Sequence, residues 1–210
     1  MSTPTRTRAS RKSPAERSAE IADAARAAAL EQGLSAVTLR SIAARVGVAP
    51  ALVAHYEPNM DALVASTFGR IVADELAEVR GLVGALSTPR ERLAVLLDTL
   101  LDGTRDDVTV VWVESWALGR RNEPLAETVR AEMDDWRRFV QGIIESGVEA
   151  GEFETDDAAS VAWQLLGMID GLNAHALVRW EDAADRGSRI GHAVEGMLGM
   201  PRGALASARG

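Results

Sequence analysis

Thr38-Leu39-Arg40-Ser41-Ile42-Ala43-Ala44-Arg45-Val46-Gly47-Val48-Ala49-Pro50-Ala51-Leu52-Val53-Ala54-His55-Tyr56 reads as two short helices joined by a tight turn. Leu39, Ile42, Ala43 and Val46 recur at helical spacing behind Thr38. Gly47 suits a left-handed position at the end of the first helix, and Pro50 suits the first position of the next. Ile42, Ala43, Val46 and Val48 can pack against Leu52 and Val53, with small Ala43 letting the two helices approach closely. The second helix is thereby held out from the body, a geometry that fits a DNA major groove.

On the N-terminal side, Ser13-Pro14-Ala15-Glu16 carries a capping serine, a proline at the first helical position and a glutamate three residues after the serine. Ile21, Ala24, Ala25 and Ala28 follow at helical spacing and Gly33 ends the helix, which backs the pair above. Residues 1–13 have no apolar period and read as a disordered basic arm. On the C-terminal side, Pro58-Asn59 breaks the chain, and a long helix from Met60 to about Leu86 carries Leu63, Val64, Thr67, Phe68, Ile71 and Val72 on one face. Further helices are expected from Ser87-Thr88-Pro89 through Leu100, over Val108–Leu118, from Pro124 to about Gly147, from Asp157 to about Val178, and over Ala184–Leu198. Val108–Val113 has strand propensity, but one strand in a helical chain would have no partner. The expected fold is all-α with about nine helices. Residues 14–59 would form a helix-turn-helix domain and 60–200 a second helical domain, with 201–210 a flexible tail.

Composition bounds the function. The 210-residue chain has a net charge of −8, yet residues 1–58 carry +3 and the remainder −11. A basic end on an acidic body can engage a polyanion locally while limiting non-specific adhesion. With no cysteine, disulfides, thiolate metal sites and a cysteine nucleophile are excluded. The chain shows no secretory leader and no long uncharged apolar run, so a cytoplasmic protein with no membrane partner is expected. It also lacks a Ser-His-Asp pattern, metal-ligand spacing and a glycine-rich phosphate loop. Neither an enzyme, a cofactor nor a metal site is expected.

The first helix ending at Gly33, the stretch Thr38–Tyr56 and Asp61-Ala62-Leu63 opening the fourth helix together resemble the TetR family of one-component repressors. Trp112-x-x-x-Trp116, the long 123–149 segment and Ile169-Asp170-Gly171-Leu172 look like the C-terminal domain of the subgroup containing choline- and betaine-pathway repressors. The resemblance implies a homodimer on double-stranded DNA, with a small-molecule effector in the C-terminal domain that releases it. It further implies that Thr38 lies near phosphate, Arg40 at the groove edge, Pro50 to His55 facing bases, and the Tyr56 hydroxyl on a phosphate. Ser41 and Arg45 join these as DNA-binding candidates.

The chain departs from the family pattern at three places: Ala49 stands where a capping serine is usual, Glu57 where an aromatic is usual, and Met60 where a lysine often meets phosphate. Pro50, Ala51, Leu52, Val53 and His55 form a reading surface poor in hydrogen-bonding groups, on which Ala51 or Val53 would meet a thymine methyl. Arg40 in the major groove, with Arg6, Arg8, Arg11 and Lys12 of the arm in the minor groove or on flanking phosphates, would then carry an unusual share of the binding.

Four of the five tryptophans fall between Trp112 and Trp163. Trp112 and Trp116 share a helix face, Trp136 and Phe139 share the next, and Trp163 lies on the one after. These faces could converge on a cavity, and with an acid such as Glu114 or Asp170 they would suit a cationic ligand. They could equally fill a solid core or a dimer seam. Glu114 is two residues from each of Trp112 and Trp116, which turns it away from their face. For the dimer interface the candidates are Leu166, Ile169, Gly171, Leu172 and His175 of one helix, with His192 and Val194 of the last. The function expected is a ligand-responsive repressor. The alternatives are a regulator without a small ligand, an activator, and an enzyme or carrier that keeps only the helical dimer.

Overall fold

The computed structural model describes residues 12–180 and 186–206. Among the described residues the chain forms nine α-helices and a single 3-10 turn, Leu34–Ala36. The helices are α1 (Pro14–Gln32), α2 (Leu39–Val46), α3 (Pro50–Tyr56), α4 (Met60–Gly84), α5 (Pro89–Leu101), α6 (Asp106–Gly119), α7 (Glu123–Glu149), α8 (Ala158–Leu177) and α9 (Arg186–Met197). The arm, with Arg6, Arg8 and Arg11, lies outside the described residues.

Local chemistry sets most boundaries. Ser13 and Glu16 form the reciprocal capping box at α1, and Thr88 and Glu91 repeat it at α5. Asn59, Asn122 and Asp157 cap α4, α7 and α8. Val108–Val113 lies within α6, as expected of a strand with no partner.

α1, α2 and α3 form a small unit around Ile21, Ala25, Ala28, Ile42, Ala43 and Val53, all buried. α4 leaves this unit and runs through the larger domain, packing most extensively on α7. Its apolar stripe, Phe68, Ile71, Val72, Leu76, Val79 and Val83, is buried. α8 packs on α6 and α7, and α9 on α5 and α8.

The segment expected to be a flexible tail is docked as far as Ala206. Buried Glu195 on α9 accepts hydrogen bonds from the amides of Gly203 (2.9 Å) and Leu205 (2.8 Å), and Leu205 is itself buried. A buried carboxylate needs donors, and the returning chain supplies them. Residues 207–210 lie outside the described set.

Candidate DNA-reading surface and effector cavity

The Thr38 hydroxyl accepts from the Ser41 amide at 3.2 Å and the Thr38 amide donates to Ser41 Oγ at 3.1 Å, closing the cap of α2. Ser41 Oγ also donates to the Ala36 carbonyl at 2.5 Å, so its hydroxyl serves the turn before α2. Gly47 has φ +72°, the left-handed conformation that the turn requires. Ala49 provides no side-chain cap for α3, and Pro50 alone marks its start.

Exposed on this unit are Thr38, Arg40, Pro50, Ala51, Leu52 and His55, with Tyr56 half-buried and its ring edge-on to His55. Arg40 makes no ion pair among the described residues. Two expectations are corrected. Leu52 and Val53 are each expected both in the scaffold and on the reading surface, and the structure divides the roles: Val53 is fully buried against the first two helices and leaves the reading surface, whereas Leu52 is 36% exposed and leaves the scaffold. α3 is rotated so that Val53 closes the core and Leu52 faces out with Ala51. Arg45 is joined to Glu31 of α1 in an ion pair, and Lys12 to Glu20 at 2.5 Å, so neither cation is unpartnered.

The tryptophan faces do converge. Trp112 and Trp116 of α6, Trp136 of α7 and Trp163 of α8 line one cavity of about 490 Å³, within the roughly 300–1,000 Å³ typical of small-molecule sites. Glu75, Arg105 and Asp170 line it too. It reaches the surface beside Trp163 and Met133, both exposed. Phe139 is not in its wall: the ring packs on Trp136 and lies beneath the Arg80 guanidinium, 5.3 Å from it.

Two acids of the cavity, Asp170 and Glu75, are unusual. Burial pushes the Asp170 carboxyl up to about 6. Burial likewise pushes Glu75 up to about 7, opposed by the Trp112 indole, which donates to it at 3.4 Å, and by the nearby Arg105 guanidinium. Glu75 and Arg105 are site residues that sequence reasoning missed, although Glu75 falls at helical spacing within the stripe of Phe68, Ile71, Val72 and Leu76, where an acid is out of place. Glu114, the other acid considered for the cavity, points to the opposite side of α6. Its carboxylate accepts hydrogen bonds from the Ser35 amide (2.8 Å) and the Ser35 hydroxyl (3.2 Å).

Of the residues expected at a dimer seam, Ile169 and Val194 are buried within the subunit, and Ile169 and Leu166 line the cavity. Gly171 and Leu172 are half-buried, while His175 and His192 are exposed. Packing of α8 on α7 and α9 turns Ile169 and Val194 inward. Among the described residues no group of three His, Cys, Asp or Glu could hold a metal, and no helix is long and apolar enough to cross a membrane.

The family described as "Bacterial regulatory proteins, tetR family" matches residues 21–67, and that of the BetI-type transcriptional repressor C-terminal domain matches residues 89–197. The HTH-type transcriptional regulator BetI of Rhizobium meliloti (strain 1021) is 31% identical over 158 residues, covering 72% of this chain and 73% of the relative. The BetI regulator of Burkholderia thailandensis is 28% identical over 159 residues, covering 74% and 79%. The fold is shared with a transcriptional regulator from Saccharomonospora viridis solved in complex with choline, with TM-score 0.78 at 22% identity over 88% of this chain and 98% of that one. It is shared also with FadR of Bacillus subtilis in complex with stearoyl-CoA, with TM-score 0.65 at 19% identity over 86% and 97%. These relatives are transcriptional regulators rather than enzymes, and one family match falls on the reading unit and the other on α5 to α9. The chain belongs to the TetR family of DNA-binding transcriptional regulators and carries a C-terminal domain of the BetI repressor type.

Proposed function

We propose that this repressor binds a palindromic operator as a homodimer and is released by a small organic cation in the tryptophan-lined cavity. The observation that carries the reading is the convergence of four indoles from three helices on one cavity with buried Glu75 and half-buried Asp170 in its wall. Indole faces attract a cation by their quadrupole, and an ionised carboxylate in a poorly hydrated wall adds to that attraction. The choline in the similarly folded regulator from Saccharomonospora viridis makes choline the first probe to use.

On the DNA side, Thr38, Arg40, Pro50, Ala51, Leu52, His55 and Tyr56 form the contacting surface. Leu52 and Ala51 supply apolar contact to base methyls, and Arg40 the principal charged contact. The arm adds phosphate or minor-groove contacts. The dimer forms through the outer faces of α8 and α9, where Gly171, Leu172, His175 and His192 reach the surface.

The deciding experiment selects bound duplexes from a random pool and then titrates the complex with choline. A palindrome with half-sites about one helical turn or a multiple apart is expected, and choline should dissociate it. A site without two-fold symmetry would overturn the dimer, and an undisturbed complex would overturn the cation. Deletion of residues 1–12 should weaken binding and flatten its salt dependence, by about 0.9 in log–log slope for each phosphate that the arm neutralises. An unchanged slope would remove the arm from the interface.

The cavity acids make effector binding pH-dependent. With Asp170 at about 6 and Glu75 at about 7, both are neutral in acid and attract a cation only once ionised. Choline affinity, followed by tryptophan fluorescence, should fall by about tenfold or more from pH 8 to pH 5. A flat profile would show that neither carboxylate faces the cation.

A further inference from the structure

α6 has two faces with different tasks. One carries Trp112 and Trp116 into the cavity, and the other carries Glu114 to the chain between α1 and α2. The Glu114 carboxylate accepts both the amide and the hydroxyl of Ser35, at 2.8 and 3.2 Å. The contact extends into the reading unit through further hydrogen bonds. The next residue, Ala36, accepts from Ser41 Oγ, and Ser41 closes the cap with Thr38 at the start of α2. Leu34 and Val37, on either side, are buried, so the turn cannot move independently of the reading unit.

Gly33 shows that this contact constrains the chain. Its φ is +87°, and a Cβ there would lie 2.6 Å from Glu114 Oε1 and 2.7 Å from Cδ. Only a glycine leaves room for the carboxylate to reach Ser35. The polar links between α1 and α4, Arg26 to Asp74 at 3.2 Å and Arg70 to Asp23 at 3.6 Å, are exposed surface pairs of the kind that contribute little.

We propose that Glu114 is the positioning residue through which the filling of the cavity is felt at the DNA-reading surface. It touches neither DNA nor effector. A guest between the indoles shifts the face of α6 that bears Trp112 and Trp116, and Glu114 drags the Gly33–Val37 turn and the N-terminus of α2 with it. This rests on reading the cavity as the effector site.

The test uses the full chain, a selected operator duplex and choline as the probe. Operator affinity is measured with and without choline for the wild type, Glu114→Ala, Glu114→Asp and Glu114→Gln, and choline occupancy is read separately from tryptophan fluorescence. Choline should weaken operator binding by about tenfold or more in the wild type and by less than about threefold in Glu114→Ala and Glu114→Asp. Those two variants should still bind choline within about twofold of the wild type, because the substitution lies on the other face of α6. Asp keeps the charge but loses the reach. Gln keeps an acceptor for the Ser35 amide and should retain most of the response. Unfolding curves identify any variant that fails to fold, and the remaining ones decide. Equal weakening in all four proteins overturns the proposal.

If choline does not bind the wild type, the cation reading fails and Trp116→Leu replaces the ligand as the perturbation of the cavity wall. A change in operator affinity that appears with Glu114 and vanishes with Glu114→Ala supports the link. The same change in both backgrounds, or none in either, overturns it.

Discussion

Replacing Glu75 by Gln should raise the stability of the protein at pH 8 by about 3 kcal/mol and leave it nearly unchanged at pH 4. The folded protein holds this carboxyl at about 7 against an ordinary value of 4.5, because burial disfavours the charged form. Below pH 4.5 the group is protonated in both the folded and unfolded chains and contributes no difference. Between 4.5 and 7 the folded protein binds the extra proton, so stability falls as pH rises through that window. Above 7 the full penalty of a buried anion is present. Gln is neutral throughout and can still accept from the Trp112 indole, so its stability loses this slope. Urea unfolding at pH 4 and pH 8 measures both. Equal wild-type and variant stability at pH 8 would show that the carboxylate is better compensated than its surroundings suggest. A gain of this size is a large share of the roughly 5–15 kcal/mol that holds a domain together. With the proposed cation in the cavity, Glu75→Gln should also weaken choline binding.

The second large effect lies at the end of α7. Gly147→Ala should destabilise the protein by about 3 kcal/mol. A Cβ at this position would lie 2.0 Å from Phe153 Cδ2 and 2.3 Å from Cε2, where carbon atoms pack best at about 3.5–4.0 Å. The ring cannot retreat freely: Phe153 is buried, and the amides of Glu152 and Phe153 both donate to the Gly147 carbonyl, at 2.8 and 3.1 Å. A double-mutant cycle with Phe153→Ala separates this clash from helix propensity. In the Phe153→Ala background, Gly147→Ala should be close to neutral or mildly stabilising, because alanine is the better helix former. An equally large loss in both backgrounds would place the strain elsewhere.

The helical architecture is legible in the sequence because its signals are local. Ser13 with Glu16, and Thr88 with Pro89 and Glu91, announce helix starts within four residues. Gly47 followed by Pro50 marks the turn between α2 and α3. Rotation about a helix axis is harder to read. α3 has only seven residues, about two turns, and its sequence Pro-Ala-Leu-Val-Ala-His-Tyr is apolar on most sides. Periodicity cannot then choose between Leu52 and Val53, and contact with α1 and α2 makes the choice. Ile169 differs from expectation for a related reason. In a helix apolar nearly all round, such as α8, the faces towards its own subunit and towards a partner have the same composition.

For the cavity, the spacing of Trp112 with Trp116 puts two indoles on one face, and the position of Glu114 between them points this acid elsewhere. The helix-turn-helix, the succession of helices and the faces on which the indoles lie are thus all fixed by residues close together in the chain. Three features are not. The indole faces meet around Glu75 and Asp170, Leu52 rather than Val53 faces outward, and Glu114 reaches across to Ser35, 79 residues earlier in the chain; each of these follows from tertiary packing. The division has a physical cause. Caps, turns and helical faces depend on atoms within one or two turns of each other, whereas a shared cavity or a bond between domains depends on how whole helices pack.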